Sequence, residues 1–399
     1  MQHENKLQFT PLRERLIICI AMGVFPLMGM GIDLIAPSLP AISKSLQVSE
    51  AFSKDLIALF LLGYGIGCFC LGFLSDAWGR RKLTIAGFVI FVLASLLPVF
   101  FPQPEILLIA RFIQGISLGA ATLMRVMLAD ILPAEKLVHV ATYISTMWGI
   151  GPIIGPIIGG YLQYYIGWQA CFIFFALYGV IITLAVIFII PETNLNKHSL
   201  EFSKIKNNIS TVISHAHFMG VVTTMGITYS TLIVFNTLGP FLIQLKLGHS
   251  PVYFGHIALG MGIMFLLGTM TCRQLVKKYS PENIFSVAIP LGFIIGLAWL
   301  ILSLFLGKNI FIIVVPSLLM FFVSGLIFPA AMGRGLALFR HLAGTSSAVM
   351  NLMNLSITSL TAFVMSFILI NSALVLACIY IALILLTGLT YHYLIRKNA

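Results

Sequence analysis

Apolar residues run along the chain in blocks of about twenty, each long enough to cross a bilayer core as a helix. They fall near residues 16–36, 54–75, 83–101, 106–128, 138–162 and 168–190. A polar stretch, 191–217, interrupts them. They resume near 218–243, 253–272, 284–306, 309–331, 344–370 and 372–394. The pattern predicts an all-α membrane protein of twelve transmembrane helices. Six form an N-terminal bundle, 1–190, and six a C-terminal bundle, 218–399, joined by a linker, 191–217. Inside the linker, Leu200–Ile213 reads as an amphipathic surface helix. The polar Met1–Thr10 ahead of the first block predicts an uncleaved first span.

Composition leaves no room for a soluble reading. Of 399 residues, 59% are hydrophobic and 9% charged, against about 25% charged in soluble domains. The net charge of +11 sits in loops, so it does not indicate nucleic-acid binding. Seventeen lysines and arginines fall at one end of the predicted helices and four at the other (Lys44, Lys54, Lys246 and Lys308). Arg111 and Arg125 lie within the fourth block. The bias predicts that both termini and the linker are cytoplasmic. The six cysteines lie in or beside apolar blocks without metal-ligand spacing, which predicts buried thiols, no disulfide framework and no metal. No phosphate loop, HExxH or nucleophile elbow occurs. The chain is therefore read as a non-enzyme without cofactors, driven by a proton gradient and not by ATP. Its partners are a small-molecule substrate and the bilayer, and it is expected to be monomeric.

Four stretches carry chemistry. The turn between blocks two and three is Gly72-Phe-Leu-Ser-Asp76-Ala-Trp-Gly79-Arg80-Arg81-Lys82, a charged hairpin at the membrane edge. Block five places Gly151, Gly155 and Gly159 on one bare stripe, suited to backbone-close packing, with Pro152 and Pro156 to bend it. Block four reads Arg111-Phe-Ile-Gln114-Gly115. Arg125 is fourteen residues further on, about 40° around an uninterrupted helix, so the arginines are read as sharing a face. Arg125 is expected to snorkel or to pair with Asp130 or Glu135. Block one ends Asp33-Leu-Ile-Ala-Pro37-Ser-Leu-Pro40, and Asp33 is the acid placed well inside an apolar run. An offset of 196 residues lays Gly72 on Gly268 and Arg81-Lys82 on Lys277-Lys278, a weak internal repeat of the kind parallel six-helix halves leave.

The Gly-x-x-x-Asp-x-x-Gly-Arg-Arg turn resembles the loop motif of the major facilitator superfamily, with Ala77 where Arg is commoner. The Gly-Pro stripe resembles its antiporter motif, and Arg111-x-x-Gln114-Gly115 its helix-four motif. Together with Asp-x-x-x-Pro-x-x-Pro, they resemble the drug/proton antiporters of the bicyclomycin- and chloramphenicol-resistance (Bcr/CflA) type. That resemblance implies a proton-coupled efflux antiporter for drug-like or amphiphilic molecules, working by alternating access in a bacterial inner membrane. It implies that Asp130 joins the loop-motif network and that the stripe seals the two halves together. Some multidrug relatives carry a second carboxylate where Phe25 stands here.

Several roles are expected on this basis. Asp33 carries the proton and Arg111 tunes it, since burial favours a neutral carboxyl and a nearby guanidinium an ionised one. Met30, Gln114, Arg125, Trp148, Tyr229, Asn236, Asn351 and Asn354 are assigned to the substrate cavity. Thr223, Thr224 and His256 are divided between cavity wall and helix packing. Asp76 is expected to cap the start of block eleven. The stripe is expected against Gly260–Gly268. Two rival functions stand beside efflux: a carrier of a carboxylate-bearing metabolite or siderophore, which two arginines against one aspartate would suit, and a non-transporting sensor.

Overall fold

The computed structural model describes residues 9–194, 201–306 and 309–395. Lys6, Lys197, Lys308, Arg396 and Lys397 of the charge count lie outside the described residues, as do residues 1–8 of the polar start and 195–200 of the linker. Twelve described helices are long and apolar enough to cross a membrane. Spans 1 to 6 are Pro11–Leu46, Glu50–Trp78, Arg80–Phe100, Pro104–Ile131, Glu135–Tyr165 and Gln169–Ile189. Spans 7 to 12 are Ala216–Lys246, Pro251–Leu275, Pro281–Phe305, Ile310–Leu338, Ala343–Ser366 and Ala373–Ile395. Between the sets lies the linker helix Phe202–Ile213. No strand occurs among the described residues.

The starts of the spans follow ordinary capping chemistry. Thr10, Ser49, Ser250 and Asn309 each accept a hydrogen bond from a backbone N–H of the first turn of spans 1, 2, 8 and 10, supplying an acceptor that a helix start lacks. Two spans are broken in mid-course. Span 1 loses its helix at Asp33 and resumes through the 3-10 turn Ala36–Ser38, where Pro37 and Pro40 follow. Span 4 passes through the 3-10 segment Gly119–Thr122.

Glycines set which helices touch. Spans 2 and 4 meet backbone to backbone through Gly63, Gly67, Gly115 and Gly119; a methyl on any of them would strike main-chain atoms of the partner helix. Spans 8 and 10 meet in the same way at Gly268 and Gly325. The repeat inferred for Gly72 and Gly268 thus relates second helices of the two six-span sets, but Gly72 itself has no neighbour that a methyl would meet. The Gly151, Gly155 and Gly159 stripe lies on span 1, against Pro26, Gly29, Asp33 and Leu34. It does not face span 8 as the sequence suggested. The other face of span 5 does so: Ile153 packs on Gly262, Pro156 on Gly255, and Gly160 on Pro251.

The contacts joining the two sets of spans lie from mid-membrane toward the end bearing Lys44 and Lys246. Ser359 donates to the Ala58 carbonyl at 2.7 Å, Gln244 to the Pro37 carbonyl at 2.9 Å, and Gly65 backs onto Leu355. Lys54, fully buried, donates to the Ile368 carbonyl at 2.9 Å, lies 3.6 Å from Glu50 and has its ammonium over the Phe241 ring. At the opposite, basic end, Gly72 of span 2 and Gly344 of span 11 have open space beside them. Spans 2 and 11 therefore close together at one end and part at the other, and the molecule is closed at the Lys44/Lys246 end.

Candidate functional site: a central cavity beneath a closed end

A cavity of about 300 Å³ lies between the two sets of spans. Its wall includes Asp33, Arg125, Trp148, Tyr229, Asn236, Asn351 and Asn354, seven of the positions that the sequence pointed to. Met30 and Gln114 are not in the wall. Met28 and Ile32 face the cavity, and Met30 lies about 200° from Met28 around the helix, so it is turned into the bundle, 4% exposed. Gln114 is wholly buried; its amide donates to Ser95 at 2.7 Å and its carbonyl accepts from Arg111 at 3.1 Å.

Asp33 sits where the span 1 helix ends, so its side chain reaches the cavity beside a backbone already freed from regular helix bonding. One carboxylate oxygen accepts from the Asn236 amide at 2.5 Å. Asn236 belongs to span 7, so this bond crosses from one set of spans to the other. Behind the carboxylate, Gly155 leaves 3.2 Å between its would-be methyl and the Asp33 Cβ. A larger residue there would displace Asp33.

Arg111 does not pair with Asp33. Its guanidinium donates to the Gly31 carbonyl at 2.8 Å, the Leu56 carbonyl at 3.3 Å and Gln114, and lies over the Phe60 ring at 4.1 Å. Spans 1, 2 and 4 are pinned together by that one side chain, which is 0% exposed. Arg111→Ala should therefore cost about 2–4 kcal/mol through lost bonds and an unfilled hole. A lower melting temperature in detergent, with Arg111→Lys intermediate, is the expected outcome; unchanged melting would remove the pinning role.

The two arginines do share a face, turned toward spans 1 and 2: Arg111 meets Gly31 and Leu56, and Arg125 meets Phe25, Tyr64 and Cys68. The 3-10 segment Gly119–Thr122 turns about 120° per residue instead of 100°, so its four residues advance the phase by about 80° and carry the angle between the arginines from about 40° on one side to about 40° on the other. Arg125, further along the helix, emerges into the cavity, with its guanidinium 5.3 Å from the centre of the Phe25 ring. It pairs with neither Asp130 nor Glu135. A row of rings completes the wall: Trp148 and Tyr229 are 6.3 Å apart, Tyr229 and Phe328 5.4 Å, and Phe328 and Phe265 6.1 Å. Thr224 bonds Thr390 at 3.0 Å, and His256 bonds the Val252 carbonyl of its own helix at 2.8 Å. Both serve packing.

At the basic end, the loop motif is tied to two neighbours. Arg80 forms an ion pair with Asp130 and lies 3.4 Å from Asp76. Asp76 is half-exposed and does not cap span 11, whose first turn receives no side-chain cap. The cap in this region belongs to Glu192, just past span 6. Its two carboxylate oxygens accept from the backbone N–H groups of Arg80 at 3.0 Å and Arg81 at 3.2 Å, at the start of span 3. A carboxylate is favoured there by the exposed helix N–H groups. Gly79 makes room for it: its φ is +98°, and a methyl would lie 2.6 Å from the Glu192 carboxylate. Asn194 donates to the carbonyls of Ser75 and Asp76, closing the end of span 2. Arg81 donates to Ile187 at 2.6 Å. The second set of spans carries an ion pair at the corresponding joint, Glu282 of span 9 with Arg334 of span 10 at 3.0 Å. Reading the motif residue by residue missed Lys54, Glu192 and Glu282–Arg334, because each is an ordinary loop or helix-end charge until its partner is known.

The comparisons agree with this architecture. The Major Facilitator Superfamily pattern matches residues 21–363. A bicyclomycin resistance protein homolog of Haemophilus influenzae is 23% identical over 97% of this chain and 98% of its own. Multidrug resistance protein D of Escherichia coli is 25% identical over 84% of this chain and 83% of its own. The crystal structure of a D-xylose-proton symporter superposes with a TM-score of 0.74 at 16% identity, covering 96% of this chain and 98% of that one. With the match spanning most of its length, twelve spans and a cavity between two sets of six, the chain belongs to the Major Facilitator Superfamily: it is a multi-pass secondary transporter and not an enzyme.

Proposed function

We propose that the protein is a proton-coupled antiporter that exports amphiphilic small molecules from a bacterial cytoplasm by alternating access. The observation that carries this reading is Asp33. It is a cavity carboxyl at a helix break, bonded to Asn236 on the opposite set of spans. A group so placed gains or loses its proton in step with the parting of the two sets. Relatives named for bicyclomycin, multidrug and chloramphenicol resistance support efflux as the direction. The aromatic wall supports an apolar, ring-bearing cargo. We divide the chain into bundles 1–190 and 218–399 and orient the basic end, with both termini, toward the cytoplasm. The cavity then opens inward.

Inverted inner-membrane vesicles containing the protein test this reading. With an imposed pH gradient, acid inside, chloramphenicol or an aromatic dye should accumulate above its equilibrium level. A protonophore should collapse that accumulation within the same assay. Accumulation that survives the protonophore would remove the proton from the mechanism.

A further inference from the structure

The two arginines of span 4 share a chemistry and differ in its use. All three nitrogens of Arg111 are engaged, each by one hydrogen bond. Arg125 makes no hydrogen bond and no ion pair with any described residue, and it is exposed on the cavity wall. Its neighbours are Tyr64, Cys68 and the face of Phe25. A guanidinium lying near a ring face keeps its in-plane N–H donors free. The one carboxylate in the cavity wall, Asp33, already accepts from Asn236. A second group in the wall also lacks a partner. The Asn354 side-chain carbonyl, on a residue 93% buried, accepts nothing.

We infer that Arg125 is the seat for an anionic group of the transported molecule, and that the cargo class is an aromatic amphiphile bearing a carboxylate. The inference rests on the reading of this cavity as the substrate site. A carboxylate matches the guanidinium fork with two parallel hydrogen bonds. The apolar body then lies along Trp148, Tyr229 and Phe328, and Asn354 accepts from a donor on the cargo. Phe25 beneath the guanidinium is uncharged and 0% exposed, so nothing at that place competes for Arg125.

The test is equilibrium binding of 2-naphthoate and its neutral isostere 2-naphthamide to the purified protein in detergent. Wild type should prefer the acid by tenfold or more. Arg125→Gln should bring the two ligands within about threefold of each other, with the acid losing more affinity than the amide. Equal affinities in wild type, or a preference undiminished in Arg125→Gln, overturn the assignment. Should Arg125→Gln not survive purification, Arg125→Lys keeps the charge without the fork and should cut the preference severalfold. An unchanged ratio there overturns it equally. The binding ratio does not depend on proton coupling. A wild type without the preference but with intact pH-driven transport refutes the anion seat alone, and the reverse result refutes the antiport reading alone.

Discussion

Asp33→Asn will leave the protein in the membrane, able to bind and exchange substrate, but unable to accumulate it on a pH gradient. Asparagine has the same shape and can still accept from the Asn236 amide, so the contact across the two sets of spans survives. What it lacks is a site for a proton. The change in folding stability should stay within about 1 kcal/mol, because no cavity and no buried unpaired charge is created. Two assays on the same proteoliposomes separate the roles. Exchange of labelled for unlabelled substrate should proceed at a rate near wild type. Net uphill uptake driven by pH should vanish. A variant that still pumps uphill moves the proton site elsewhere. Loss of exchange as well would make Asp33 a packing or binding residue and not a coupling one.

Leucine at Gly255 or Gly160 should force the closed end open. A methyl at Gly255 would stand 2.6 Å from the Pro156 carbonyl, and one at Gly160 would stand 2.7 Å from that of Pro251. Both obstacles are backbone and belong to the opposite set of spans, so the strain is relieved by parting them. Overpacking of this kind costs about 1–3 kcal/mol, which shifts a two-state equilibrium roughly 5- to 150-fold. A cysteine placed at Gln244, whose side chain now bonds across the closure to Pro37, reports the change through its reaction with an impermeant maleimide. The exposed native Cys19, Cys70 and Cys378 are first removed. Labelling should accelerate at least fivefold, and transport should fall because closure is impeded. Gly159→Leu is the control. Its obstacle is Leu34 in the same set of spans, so it should lower stability without faster labelling. Equal labelling in all three variants would show that span 5 and span 8 do not form the closure.

Hydropathy alone marked the twelve spans, because an apolar block of twenty residues in lipid has few structures besides a helix. The cavity was legible in part for a similar reason. Asp33, Arg125 and the asparagines are conspicuous where polar side chains need partners or water. The errors came from rotation and pairing. Three residues of Gly-rich spacing announce a close contact without naming the partner, and the stripe of span 5 fits span 1 as well as it would fit span 8. Met30 was assigned to the cavity, but Met28 and Ile32 hold that face of span 1, and Met30 lies about 200° around the helix from Met28. Lys54 looked like a loop charge because its partners, Ile368 and Phe241, are distant in sequence. Glu192 looked like the first polar residue of a linker.

That last residue alters what counts as one folding unit. The start of span 9 has its own acid, Glu282, beside Arg334. The start of span 3 has only cations, and the carboxylate that satisfies its N–H groups arrives from beyond span 6. During synthesis the first six helices would thus be in the membrane while one helix start among them remained uncapped. The first bundle becomes complete when Glu192 and Asn194 have been added, a few residues into what hydropathy assigns to the connector. A gene split after residue 190 would divide that bundle from its own fastening; a split after residue 194 would leave it whole.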